Sequence, residues 1–225
     1  MYRRHRLAAF SFGVTVPTFG ASMSPPFHPC IPTRAPQPPS RGRWVHEIKQ
    51  GGYRLIVRRV GEHVSLRTKG GYDWAECYPR IARSVLKLRV ESVALDGEVV
   101  WLTETGVSDF DTLHSRRKDD WAMHLAFDIL ELDGTDLRDL PLVERKRRLK
   151  ALLGCQDDGL QFVEHLEGEG AEIFKAACRL GLEGIVSKRA DSAYKAGPSK
   201  MWLKTKNRNH PALIRVAESF DRHGR

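Results

Sequence analysis

The sequence predicts an α+β fold of antiparallel sheets flanked by helices, and three observations carry that expectation. Strand-like runs follow one another without an intervening helix, which implies antiparallel pairing. Runs with helical period are few, at 74–88, 141–153 and 172–181. Proline or glycine marks helix boundaries, as Pro141 does at a first turn and Gly181 at a stop.

The elements follow in chain order. Residues 1–43 begin MYRRHRLAAFSFGVTVPTFGASM, which superficially has the basic start and small residues of a secretory signal. Pro17, glycines and interspersed Ser and Thr dilute its apolar stretch, and Met23 opens a Pro-rich lead-in, SPPFHPCIPTRAPQPPSRGR. Residues 1–43 therefore read as an extended, disordered segment with Met23 as the natural first residue. The folded domain is expected over 44–217, with 218–225 as a flexible tail. In WVHEIKQGGYRL (44–55), Trp44, Val45, Ile48, Tyr53 and Leu55 look like a strand pair, with Gly51-Gly52 as a tight turn and Lys49 just before it. Further strand-like runs are YRLIVRRV (53–60), HVSLRT (63–68), SVALDGEVVWL (92–102), WAMHLAFDIL (121–130), GLQFVEHL (159–166) and GIVSK (184–188). Between them, WAECYPRIARSVLKL, PLVERKRRLKALL and EIFKAACRLG space apolar residues three and four apart.

Composition narrows the function. The 225 residues suffice for one substantial core or two small domains. No apolar run approaches the roughly 20 residues that cross a bilayer, so no membrane partner is expected. The formal charge of +9 is uneven: +6 over 1–43, −4 over 44–187 and +7 over 188–225. Basic ends beside a mildly acidic body point to a polyanionic partner, nucleic acid or a nucleotide phosphate. Cys30, Cys77, Cys155 and Cys178 form no CxxC pair, which argues against a zinc site and reads as reduced thiols in a cytoplasmic protein.

Besides Lys49, four stretches sit near ends of strand-like runs: LDGEVV (95–100), AFDIL (126–130), LEGIVSKR (182–189) and WLKTKN (202–207). Singly each has a bland explanation, as a turn, a core residue or a solvated face. In order, KQGGYR (49–54), LDGE (95–98), AFD (126–128), EGIVSK (183–188) and KTK (204–206) resemble the nucleotidyltransferase domain of ATP-dependent DNA ligases. RTKGGYDW (67–74) and VSDFDTLHSRR (107–117) look like the ligases of bacterial end joining. The resemblance covers roughly residues 25–217 and implies the fold shared with mRNA capping enzymes.

It also implies a chemistry, with ATP and Mg²⁺ (or Mn²⁺) as cofactors. Lys49 would be the nucleophile that forms a covalent lysine–AMP intermediate, whose AMP passes to a DNA 5′-phosphate for strand joining in repair and recombination. Lysine is a nucleophile only once its ammonium has lost a proton. Lys204 and Lys206 would hold the α-phosphate, and Glu98 and Glu183 would ligate the metal as hard oxygen donors. Phe127 would stack on adenine, Glu47 would read its amino group, and Arg54 would contact the ribose or the nick phosphate. Arg67, Lys69, Arg116 and Arg117 are the expected DNA contacts. The implied partners are nicked or broken duplex DNA near the nucleoid, and other end-joining proteins.

Two features depart from the family pattern. Its lysine motif carries aspartate where this chain has Gly51, a position tied to nick handling rather than to lysine–AMP formation. Only 19 residues follow Lys206, too few for a five-stranded barrel, so no OB-fold is expected. The alternative functions are an accessory or degenerate nucleotide- and DNA-binding module, or an RNA ligase or capping-type transferase on the same core.

Overall fold

A computed structural model of the chain describes residues 27–115, 119–154 and 158–211. Two sheets face each other. The first is four-stranded and ordered β1(Cys30–Arg34), β10(Gly197–Lys206), β9(Gly184–Arg189) and β2(Trp44–Ile48). The second runs β4(His63–Thr68), β3(Tyr53–Val60), β5(Ser92–Val100), β6(Met123–Leu132) and β7(Thr135–Asp136), with β8(Leu160–Phe162) also pairing with β6. Pairing is antiparallel except for β1 with β10 and β6 with β8. The helices α1(Pro79–Leu86), α3(Leu142–Leu153) and α4(Gly170–Arg179) pack on the sheets, and α2(Phe110–His114) is a short turn of helix.

Period-two alternation decides which side chains enter the space between the sheets. On β5, Val93, Leu95 and Val99 join the larger apolar core with Ile81, Val85 and Leu149, so Ala94, Asp96 and Glu98 fall on the other face. On β2, β9 and β10 the same rule groups Val45 with Glu47, Val186 with Lys188, and Trp202 with Lys204 and Lys206. A smaller core of Cys30, Val45, Ile56, Leu130, Tyr194 and Trp202 closes one side of that space.

Several expectations change. The 44–55 stretch is not a hairpin: β2 pairs with β9, whereas β3 pairs with β4 and β5, so Gly51-Gly52 carries the chain from one sheet to the other. Gly52 is required there, because a Cβ would lie 2.1 Å from the Val99 carbonyl oxygen. Part of the lead-in is also folded, since residues 30–34 form β1. A proline within the strand does not prevent this, because β1 is an edge strand and Pro32 needs no ladder donor on its open side. The 74–88 run is helical only from Pro79; the proline pushes Tyr78 out of helical geometry, to φ −128° and ψ 65°. Pro141 caps α3 instead of opening its first turn. Asp109 caps α2 by accepting the Thr112 amide at 3.0 Å, a helix with too few apolar repeats to show periodicity. The sequence beyond 211 lies outside the described residues.

Asp128 on β6 and Arg145 on α3 form a fully buried pair at 2.8 and 2.9 Å, and Arg145 also donates to the Leu140 and Ser192 carbonyls. Arg145→Met would leave the Asp128 charge buried and unpaired. Urea unfolding is expected to show a loss of about 3–5 kcal/mol, and a loss under about 1 kcal/mol would contradict that role.

Candidate active site

The space between the sheets opens as a pocket whose walls come from β2, β3, β5, β6, β9 and β10. Its inner part is an apolar slot of Ile48, Leu125, Phe127, Val163, Val186 and Trp202. Phe127 and Trp202 meet edge to face, with centroids 5.9 Å apart. The outer part is charged, lined by Lys49, Arg54, Glu98 and Lys204.

Lys49 follows directly on β2 and is tied to the β9 start by its amide, which donates to the Gly184 carbonyl at 2.9 Å. Its ammonium donates to Glu183 Oε2 at 2.7 Å and to the Gln50 carbonyl at 3.1 Å. Lys206 reaches the other oxygen of the same carboxylate at 3.1 Å. Burial alone would raise the Glu183 pKa, but Lys49 and Lys206 outweigh it and hold Glu183 below the usual carboxylate range. Lys204 is pushed below the ordinary lysine value, first by burial and then by Lys206, Lys49, Lys69 and Arg34. Five cations therefore share this rim.

Glu98 is the carboxyl without a counterion. No hydrogen bond or ion pair reaches it among the described residues, and burial pushes it up to about 7, against the pull of Arg54 and Lys49. Asp96 and Glu183 push it the same way as burial. Arg54, its neighbour in the β3–β5 ladder, is already engaged: it forms a two-pronged bridge to Asp96 at 2.6 Å and donates to the Cys30 carbonyl at 3.1 Å. Its guanidinium also lies 4.4 Å from the Phe127 centroid.

Glu47 stands at the inner wall, only 4% exposed. Lys146 holds one of its oxygens at 2.7 Å and Lys188 lies 2.6 Å from the other. The Lys188 contact is an ion pair off the hydrogen-bonding direction. The two charges keep Glu47 below its ordinary pKa although burial alone would raise it. Lys188 lies 4.0 Å from the centroids of both Phe127 and Trp202, and burial lowers its pKa to about 8.

The sequence-expected residues Lys49, Glu47, Arg54, Glu98, Phe127, Glu183, Lys204 and Lys206 thus converge on this one pocket and its rim. Arg67 lies on β4 and is occupied by the Gly71 carbonyl at 3.1 Å and by Asp73 at 3.6 Å. Lys69 follows β4, near enough to repel Lys204. Arg116 and Arg117 lie outside the described residues. Asp96, Lys188 and Trp202 were not assigned roles from the sequence, although each sits two residues from an assigned or pocket-facing position. Lys146 gave no such signal, since its run ERKRRLK looks like a solvated helix face.

The family described as ATP dependent DNA ligase domain matches residues 37–206. The chain is 40% identical over 174 residues to the multifunctional non-homologous end joining protein LigD of Pseudomonas aeruginosa, covering 76% of this chain and 21% of that protein. Its identity to the multifunctional non-homologous end joining DNA repair protein LigD of Mycobacterium tuberculosis is 35% over 173 residues, covering 76% and 22%. The chain spans about a fifth of the length of these relatives. A solved structure described as mycobacterial DNA ligase D complexed with ATP and MES matches with a TM-score of 0.70 and 32% identity, over 80% of this chain and 60% of that one.

Glu98 gives the fold a pH signature. Its pKa rises from 4.5 to about 7 on folding, so between these values the folded chain holds a proton that the unfolded chain has released. Its contribution to stability is present below pH 4.5 and is lost as pH climbs to about 7. Urea unfolding across that window should show the wild type losing stability relative to Glu98→Gln, and parallel curves would refute the assignment.

Proposed function

The chain belongs to the ATP-dependent DNA ligase family, and from that premise we propose that it is an adenylyltransferase that charges Lys49 with AMP for DNA strand joining. The observation that carries this reading is the position of the Lys49 ammonium. It lines the same pocket as Phe127 and Trp202, 2.7 Å from a carboxylate that it shares with a second lysine.

In the first step the neutral Lys49 amine attacks the α-phosphate of ATP. A phosphorus–nitrogen bond forms, the bond from the α-phosphorus to the bridging oxygen breaks, and pyrophosphate leaves. Lys204 and Lys206 offset the charge that builds on the phosphate oxygens. AMP then passes to a DNA 5′-phosphate, returning the lysine. Attack by a 3′-hydroxyl seals the strand and releases AMP.

The donor set suits a divalent cation. Glu98 is a half-buried carboxyl without an ion-pair partner among the described residues, and it is close enough to Glu183 for the two to repel. Mg²⁺ is an ion that binds through one or two carboxylates plus phosphate. Glu98 and Glu183 would hold it, and its chemistry there is to neutralise phosphate charge.

The proposed substrate is nicked or broken duplex DNA, handled in the cytoplasm at the nucleoid. Lys69 and Arg67, with Arg116 and Arg117, would contact its phosphates. End-joining proteins are the proposed partners, and the likeness to the end-joining LigD proteins supports that choice. Among the described residues no helix is long and apolar enough to cross a membrane.

Incubation with Mg²⁺ and α-labelled ATP, followed by a denaturing gel, tests the first step. Label is expected on the wild type and at background on Lys49→Ala; equal label on both would overturn the assignment. Gly51 bears on the last step. A Cβ there would lie 3.7 Å from Glu183 Oε2 and 3.7 Å from Ser108 Oγ, ordinary contact distances, so the backbone leaves room for a Cβ at Gly51. On a pre-adenylated nick, Gly51→Asp is expected to seal on the order of tenfold faster, equivalent to about 1.4 kcal/mol of transition-state interaction. Equal sealing would show that the glycine costs nothing.

A further inference from the structure

Lys146 lies on α3, outside the pocket lining, yet its side chain is only 1% exposed and its ammonium meets three acceptors that belong to the pocket walls. It donates to Glu47 Oε1 at 2.7 Å, to the Val163 carbonyl at 2.9 Å and to the Phe127 carbonyl at 3.4 Å. An ammonium has three N–H donors and no acceptor, so this set saturates it. Glu47 belongs to the first sheet and Phe127 to the second, and Val163 continues from β8. One cation therefore links the two sheets across the slot.

We infer that Lys146 is a positioning residue for base selection, acting through Glu47. This deepens the nucleotide-binding reading above and rests on it. A carboxylate can turn about its last torsion, which is broad and roughly two-fold, so a single ion pair does not fix its plane. Here each oxygen has its own lysine, Lys146 on Oε1 and Lys188 on Oε2, and the pair of contacts sets the plane and the direction of the remaining lone pairs. An ionised carboxylate only accepts hydrogen bonds. Glu47 thus favours a planar base whose edge presents an amino group and disfavours one that presents a carbonyl oxygen. Adenine carries the amino group at its 6-position; hypoxanthine carries the oxygen there. Lys188 shares the hold on Glu47, but it lines the slot and would touch the ligand itself. Lys146 is the residue whose effect separates orientation from contact.

The test is equilibrium binding of ATP and of inosine triphosphate, followed by calorimetry without Mg²⁺ so that no lysine–AMP forms. The wild type should prefer ATP by at least about tenfold, the scale of one hydrogen bond to a charged acceptor. Lys146→Met, with folding checked by circular dichroism, should lower that ratio about tenfold. Lys146→Arg keeps the cation and should lower it by a smaller factor, which preserves the test should the methionine variant not fold. Adding Lys146→Met to Glu47→Gln should leave the ratio unchanged, because the residue through which Lys146 acts is already altered. A variant that weakens both nucleotides equally, or a wild type without preference, would overturn the proposal. Lost labelling of Lys49 with the ATP preference intact would instead count against the adenylation reading alone.

Discussion

Buried charge, and the need to balance it, organises this molecule. Asp96 and Asp128 are fully buried, Glu47 nearly so, and the Glu183 side chain is only 10% exposed. An unpaired charge in such a place costs several kcal/mol, whereas a paired and hydrogen-bonded one is tolerated. Each of these carboxylates takes its cation from another element: Arg54 for Asp96, Arg145 for Asp128, Lys146 and Lys188 for Glu47, and Lys49 and Lys206 for Glu183. The pairs fix how the strands and α3 sit against one another, because a shift that separated one pair would strand its charge. Asp96 extends this to the edge strand. It accepts from Arg54 and from the Tyr194 hydroxyl, and those same groups hold the carbonyl and amide of Cys30 on β1.

Glu98 breaks the rule. It is half-buried and lacks a hydrogen-bond or ion-pair partner among the described residues, and burial raises its pKa. A protein gains nothing in stability from such a group, so its presence beside Lys49 and Lys204 is explained by what enters the pocket. The position follows from its ladder. Arg54 and Glu98 are cross-strand partners, and Arg54 turns to Asp96, two residues back on the same face, leaving Glu98 free for a ligand.

Much of this was legible in the sequence for one reason: the chemistry lies on strands, where residues two apart share a face. Lys204 and Lys206, Glu47 and Lys49, and Asp96 and Glu98 are such pairs, so short motifs preserve them intact. What crosses between elements was not legible. WVHEIKQGGYRL reads as a hairpin because alternation shows that strands exist, not which sheet each joins. The edge strand β1 lies in a Pro-rich stretch whose local composition argues against a strand, and its pairing partner is more than 160 residues away. Lys146 is the clearest case. In a run of five charged residues with no distinguishing neighbour, only the packing of α3 on β6 turns one lysine inward to the pocket.

The same alternation sets the chemical polarity of the site. At the slot wall, Glu47 with Lys188 and, behind it, Lys146 form a cluster with one positive charge in excess, with Lys188 against the faces of Phe127 and Trp202. The rim holds Lys49, Lys204 and Lys206 against Glu183 and a Glu98 that titrates near 7. Both regions are therefore cationic on balance at neutral pH, and on Lys204 repulsion from Lys206, Lys49, Lys69 and Arg34 adds to the burial that lowers its pKa. A base alone would leave that repulsion in place. A ligand that joins a flat, amine-bearing ring to a chain of phosphates would satisfy both halves at once, which is the physical case for the proposed role of Lys49.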